Sequence, residues 1–228
     1  MKNLILSGGI FHDFSASSSA LADVLKPLGM ASRVEPDIER GLASLVDEPV
    51  ELLTFNALRW EMVGEKYDAY RDEWAMSLSP DGREAIVNHL RQGGALLGLH
   101  TASICFSDWP LWGDILGGSW QWGASWHPAP EQIRLTPTAH PLMRGISVFE
   151  VVDELYTELS VSPEVETLIT GSSASLTGDN PLLWIHRYGG GRVVYDAMGH
   201  DAAAIQQAEH AKVLRQSVEW ALGIERAA

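Results

Sequence analysis

The sequence predicts an α/β fold with a mainly parallel sheet and helices on both faces. Three observations predict it. Short apolar runs alternate with segments of helical periodicity along the chain. The run Ala95-Leu96-Leu97-Gly98-Leu99 is apolar without alternation, as a strand covered on both faces is. No internal repeat, low-complexity linker or charge block divides the 228 residues, so residues 1–228 read as one domain.

The elements follow in order. Leu4 to Ser7 is a first buried strand, stopped by Gly8-Gly9. Ser17-Ser18-Ser19 offers N-caps for a helix over Ala20 to Leu28, which Pro27 ends or kinks. Ala31 to Glu35 and Val50 to Phe55 are the next strands. Ser79 and Pro80 are the N-cap and first position of a helix whose stripe is Ala85, Ile86, Val87 and Leu90, closed by Gly93-Gly94. After the strand Ala95 to Leu99, Thr101 to Leu116 has a helical pattern despite Pro110. Gln132 to Leu135, Val165 to Thr170, Leu182 to Arg187 and Arg192 to Asp196 are β-like, the last two joined by a turn at Gly189-Gly190-Gly191. That pair is expected at an edge of the sheet or as an added hairpin. Ile205 to Leu222 reads as one long amphipathic helix.

Composition narrows the function. The formal charge of -14, from 16 basic and 30 acidic residues, argues against nucleic-acid and anionic-membrane partners. One cysteine, Cys105, allows no intrachain disulfide and suits a reducing compartment. The first strand is too short for a signal-peptide core, and no apolar run approaches the ~20 residues of a membrane span. A cytoplasmic protein is expected.

Open α/β sheets bind ligands at the carboxyl ends of their strands. His12, with Phe11 and Asp13 beside it, follows the first strand; His100 ends the strand after Gly94; His200 follows the last strand. Gly98-Leu99-His100-Thr101-Ala102 has the small-x-residue-x-small form of a nucleophile elbow, with an imidazole at its centre. A helix N-terminus there would favour neutral imidazole, suited to a base or a metal ligand. Five of the nine tryptophans fall between Trp109 and Trp126, and the stretch ends at His127. They form either edge core or a stacking platform for a sugar, with Trp120 the candidate contact. The same segment could be buried in a homodimer. In Asp153-Glu154-Leu155-Tyr156 the two carboxylates point apart on a strand, so one of them enters a site as acid, base or imidazole orienter. His89, His186 and His210 read as structural or exposed, and His140 before Pro141 as a turn residue.

An ordered set of motifs resembles the ThuA-like, trehalose-utilisation family, whose fold is similar to the flavodoxin-like class I glutamine amidotransferase domain. The motifs are Leu78-Ser79-Pro80 before a helix, Gly93-Gly94 through His100, Leu116-Gly117-Gly118-Ser119-Trp120 with His127, and His140-Pro141 through Gly145. Asp153-Glu154-Leu155-Tyr156, Trp184 through Tyr195 and Gly199-His200-Asp201 complete it. Class I amidotransferases carry a cysteine at the elbow. Here the cysteine lies five residues beyond His100, so glutaminase chemistry is not expected.

The resemblance implies disaccharide catabolism through 3-keto sugars. The expectation is an enzyme on a disaccharide or keto-sugar glycoside, working by acid–base chemistry as a hydrolase, lyase or isomerase. His100, Asp153 and Glu154 are its candidate catalytic residues, with His100 as base or ligand. Phe11, His12, Trp120, His127, Tyr156 and His200 are its candidate substrate contacts. Two alternatives stay open: a non-catalytic sugar-binding or regulatory protein on an amidotransferase-like scaffold, and a metal-dependent hydrolase. The four site histidines with a carboxylate would suit zinc or a similar ion, though none shows a local H-x-x-x-H spacing.

Overall fold

The computed structural model describes residues 1–224. In chain order the elements are β1 (Lys2–Gly9), α1 (Phe14–Leu25), β2 (Ala31–Glu35), α2 (Ile38–Ser44), β3 (Leu52–Leu58), α3 (Asp68–Trp74), α4 (Pro80–Arg91) and β4 (Ala95–Leu99). The second half holds α5 (Leu111–Leu116), β5 (Gly118–Ser119), β6 (Glu131–Pro137), β7 (Phe149–Asp153), β8 (Ser160–Val161), β9 (Glu166–Ser173), β10 (Asn180–Tyr188), β11 (Gly191–Asp196), α6 (Ala202–Gln206) and α7 (Ala208–Ala221). Nine strands form one sheet in the order β2-β1-β3-β4-β11-β10-β9-β6-β7; β5 and β8 form a small separate pair.

From β2 to β11 the neighbours are parallel, and every residue of β3 and β4 is buried. That is the chemistry of strands covered on both faces. One helical layer packs α1 with α6 and α7, and another packs α2 with α4. From β11 outward the pairings are antiparallel. The antiparallel part is therefore four strands beyond β11, more than the hairpin expected from the glycine turn. Burial alternates along β6 and β7, so one face of this part is solvated.

Several local expectations are corrected. Asp13, not the serine run, caps α1, accepting from Ala16 N at 2.9 Å. Ser17 and Ser18 are buried inside that helix, where both hydroxyls accept from Asn56 Nδ2 at 2.9 Å. Pro27 does end the helix, in a 3-10 turn over Lys26–Leu28. The segment after β4 is not one helix. A 3-10 turn runs over His100–Ile104, Phe106 takes φ 53°, and α5 starts only after Pro110. Cys105 accordingly lies just past the 3-10 turn; its thiol donates to Ala57 O at 3.0 Å, and burial pushes its pKa up to about 12. The long C-terminal helix is broken at Gln207, whose ψ of 132° is extended, and its side chain caps α7 through His210 N.

The break at Gln207 seats His210. Its Nδ1 lies 2.7 Å from Ala204 O and its Nε2 2.8 Å from Asp196 Oδ2, with both side chains fully buried. Two acceptors demand two N–H groups, so the ring is an imidazolium. Burial alone would lower its pKa, but the charge and hydrogen bond of Asp196, then the Ala204 carbonyl and the Asp153 charge, hold it above 6.5. Stability from this pair is complete below 6.5 and is lost as pH rises through the raised folded value. His210→Ala is expected to cost about 3–5 kcal/mol, the range for breaking a buried ion pair. Thermal melts across pH would check both points: the wild-type Tm falls on the alkaline side, and the variant's low Tm lacks that fall.

Candidate active site at the carboxyl ends of the strands

The chain leaves β1 for β2 on one side, and β3 lies on the other, so the sheet changes direction between β1 and β3. A crevice at such a point is where open α/β sheets bind ligands. The backbone there is tight. A Cβ on Gly9, whose φ is 147°, would stand 2.4 Å from Leu58 O, so only glycine lets β1 end this close to β3. Phe11 follows at φ 72°, and the turn delivers His12 to the crevice.

His100 arrives from β4 by the elbow. Its own φ is 48°, a left-handed conformation that costs of order 1–3 kcal/mol in a non-glycine residue. Gly98 is needed beneath it, because a Cβ there would meet Leu116 Cδ2 at 2.7 Å. Tyr195 of β11 braces the turn, its hydroxyl 2.8 Å from both His100 O and Ser103 Oγ. The structured segment after His100 is a five-residue 3-10 turn, which is no basis for a helix dipole. The ring is instead oriented by a hydrogen bond, with Nδ1 2.7 Å from Ala197 O. A carbonyl only accepts, so Nδ1 carries the proton and neutral His100 keeps its lone pair on Nε2.

The carboxylate comes from the far edge of the sheet. Each step from β11 to β7 reverses direction, and four reversals leave β7 pointing the same way as β11. In a flat sheet β7 would stand roughly 19 Å from β11 at about 4.8 Å per strand. The segment after β11 nevertheless meets the end of β7. Asp153, at the end of β7, is fully buried and accepts from Gly199 N at 2.7 Å and His200 N at 3.2 Å. Burial raises its pKa, against the pull of His100 and these backbone donors. Glu154, the next residue, is thereby set among the imidazoles.

Glu154 Oε2 lies 3.3 Å from His100 Nε2, 3.6 Å from His127 Nδ1 and 3.9 Å from His12 Nε2, and Oε1 lies 3.3 Å from His200 Nδ1. Burial would raise its pKa, but His100 and His200, with help from His127, hold it well below the usual carboxylate range. The neighbouring Glu154 carboxylate raises His200 above 6.5. Burial, then the nearby His100 and His200, lowers His12 to about 4. Tyr156 lies over His100 with ring centroids 4.6 Å apart and its hydroxyl 3.3 Å from Nε2. Burial keeps that phenol protonated far above its ordinary value.

A cavity of about 300 Å³ opens beside this cluster. His12, His127, Glu154 and Tyr156 line it, with Phe11, Trp60, Tyr67, Trp120 and Trp122 among its aromatic walls. His100 is 1% exposed and stands behind the wall, so its expected part as the base that touches substrate is not supported by the geometry. His127 Nδ1 donates to Pro128 O at 2.9 Å, leaving the Nε2 lone pair of the neutral ring free. The tryptophan stretch divides: Trp109 and Trp112 are core, Trp120 and Trp122 line the cavity, and Trp126 is 47% exposed. Trp60 and Tyr67 were not foreseen. Trp60 follows β3 at its carboxyl end, and that position was the available signal. Its buried indole Nε1 has no hydrogen-bond partner among the described residues.

A larger cavity, about 690 Å³, lies at the amino ends of the strands between Glu51, His89 and Gly94. It gathers no converging set of catalytic groups, since His89 is spent on Ala95 O at 2.8 Å. His186 is likewise committed to Ile115 O, and His140 to Leu142 N and Glu166. Among the described residues, no helix is long and apolar enough to cross a membrane.

The family model ThuA, "Trehalose utilisation", matches residues 17–221. A crystal structure of a ThuA-like protein from Parabacteroides merdae ATCC 43184 superposes with TM-score 0.77 at 19% identity, over 97% of this chain and 90% of that one. A cytoplasmic protein from Salmonella typhimurium LT2 gives 0.67 at 13% identity, over 97% and 99%. A cold-adapted β-galactosidase from Rahnella sp. R3 gives 0.63 at 14% identity; all but 1% of this chain aligns to 31% of that enzyme's length. At these identities the likenesses concern the fold. No curated protein matches the sequence.

Asp153 tests the construction of the site. Asp153→Ala strips the acceptor from three backbone N–H groups, those of Glu154, Gly199 and His200, and about 1–3 kcal/mol of stability should go with it. Denaturant titration measures the loss, and a crystal structure of the variant should show His200 and Glu154 displaced.

Proposed function

This chain belongs to the ThuA, trehalose-utilisation, family, and on that premise we propose that it is an enzyme of carbohydrate metabolism acting on a keto-disaccharide or keto-glycoside. The observation that carries the reading is the aromatic-walled cavity floored by a carboxylate among imidazoles. Indole and phenol rings suit the apolar faces of a sugar, and the unpartnered Trp60 Nε1 suits one of its hydroxyls.

The chemistry begins at the carbon next to a ketone. His127, with a free Nε2, is the base: it takes the α-proton, the C–H electron pair forms the enolate double bond, and the carbonyl π pair moves to oxygen. The Tyr156 hydroxyl, which stays protonated, donates to that oxygen. Two fates balance. The enolate can expel a glycosidic oxygen β to the ketone, which leaves with the proton returned by His127; this is elimination. Alternatively a water on the opposite face gives the carbon a proton, and the resulting hydroxide takes up the proton released by His127, which is isomerisation by epimerisation. Glu154 stays ionised in this scheme and orients His12, His100 and His200. Asp153 and His100 act through Glu154 and Tyr156 as positioning residues. The formal charge of -14 suits a small neutral substrate over a polyanion.

Turnover of a panel of 3-keto-disaccharides, followed by product analysis, tests this. His127→Gln should lower kcat by about 10²–10⁴, the usual worth of a general base. Tyr156→Phe should lower it by about 10²–10³, as loss of an oxyanion donor does. Tight binding of the panel with no product after long incubation would replace the enzyme by a sugar-binding protein. Turnover unchanged in both variants would remove these two roles.

A further inference from the structure

We propose that His12, His100, His200 and Glu154 form a mononuclear site for a divalent transition cation of the Zn²⁺ type on the floor of this cavity. The inference rests on the reading of the cavity as the substrate site and names what sits there.

The four side chains offer one ligand atom each, all within 4.8 Å of one another. They come from four places in the chain, after β1, β4, β7 and β11, so their meeting is a product of the fold. Two of the ring nitrogens, His12 Nε2 and His200 Nδ1, are buried and have no hydrogen-bond partner among the described residues. A third, His100 Nε2, is the lone-pair nitrogen of a ring whose other nitrogen is tied to Ala197 O. Metal-binding imidazoles are commonly held this way, with the distal N–H on a carbonyl.

Hydrogen bonding does not account for the spacing. A charge-assisted N–H···O⁻ contact closes to about 2.7–2.9 Å. Here Glu154 stands 3.3 Å from His100 Nε2 and 3.3 Å from His200 Nδ1. Two ligands about 2.0–2.1 Å from one tetrahedral ion stand about 3.3 Å apart. His12, at 3.9 Å, closes inward on binding. His127 stays outside the set because its Nδ1 is engaged by Pro128 O.

The donor set names the cation class. Three imidazoles and one carboxylate suit Zn²⁺ and its transition-metal neighbours, whereas Mg²⁺ and Ca²⁺ take oxygen ligands. His12 and Glu154 line the cavity, so the exposed side of the ion faces it. With four protein ligands in place, one sugar oxygen can add as a fifth ligand. The matching ligand class is a sugar ketone.

The test uses the full chain, stripped with a chelator and dialysed. Calorimetric titration should show one Zn²⁺ per chain and Mg²⁺ binding at least 100-fold weaker. Co²⁺ should give an intense visible spectrum of low coordination number. The double variant His12→Ala with His200→Ala should lose at least 100-fold in Zn²⁺ affinity, while His140→Ala, away from the site, binds as wild type. Should the double variant fail to fold by circular dichroism, imidazole NMR of the wild type replaces it. Zn²⁺ should then shift the His12, His100 and His200 ring signals at one equivalent and leave His140 in place. Sub-stoichiometric uptake, equal Zn²⁺ and Mg²⁺ affinity, undiminished binding in a folded double variant, or NMR shifts elsewhere would each overturn the site. Stoichiometric Zn²⁺ with no keto-sugar turnover would keep the site and sink the enzyme. Turnover in the stripped protein with no Zn²⁺ uptake would do the reverse.

Discussion

Two backbone N–H groups on one buried carboxylate hold the site together. Asp153 ends the outermost strand, and the donors to its carboxylate are the N–H groups of Gly199 and His200, just past the innermost antiparallel strand. The strand ladders join the outer edge of the sheet to the parallel half, and this link fixes the end of β7 against the segment after β11. Without it Glu154 would lose its place among His12, His100 and His200, and Tyr156, two residues on, its place over the His100 ring. Burying a carboxylate is costly, and the raised Asp153 pKa reflects that cost. The backbone donors and the nearby His100 and His210 offset it. A feature so expensive to bury is placed where the fold needs two distant segments in register.

The same region carries backbone strain. Phe11 and His100 both have positive φ without being glycine, and both lie at the ends of central parallel strands. Each conformation is held by its surroundings: Gly9 pressed on Leu58 before Phe11, Gly98 and the Tyr195 hydroxyl around His100. A relaxed loop at either place would point its imidazole elsewhere. The fully buried strands β3 and β4 are rigid enough to impose these turns, so stability made in the core is spent on side-chain direction at the rim.

The likenesses to solved structures fit this division of labour. A ThuA-like protein and a cytoplasmic protein share the whole architecture at 19% and 13% identity, and a β-galactosidase contains it within 31% of its length. A parallel sheet with helical layers requires only apolar pattern and volume, which many sequences satisfy. What a given chain does with the fold is decided by the few side chains at the strand ends.

Those side chains were partly legible beforehand. The continuous apolar run before His100, the small residues around it and the Ser79-Pro80 helix start each encode local structure through nearest neighbours, so the α/β class and most strands followed from the sequence by itself. Membership of the ThuA family was legible in the ordered motifs for the same reason. The break at Gln207 was not, because helical periodicity continues through it; only the buried Asp196–His210 pair makes the turn worthwhile. Nor was the capping of α1 by Asp13, since Ser17 and Ser18 serve a hydrogen-bond network with Asn56 on β3. Strand ends told which histidines could face a ligand. Tertiary structure alone decided that His12, His100 and His200 share one carboxylate, that His100 sits behind the wall while His127 sits on it, and that Trp60 completes the cavity. The reason is range: local pattern fixes what a segment becomes, but the distance between residues a hundred positions apart depends on how the sheet twists and which strands pair.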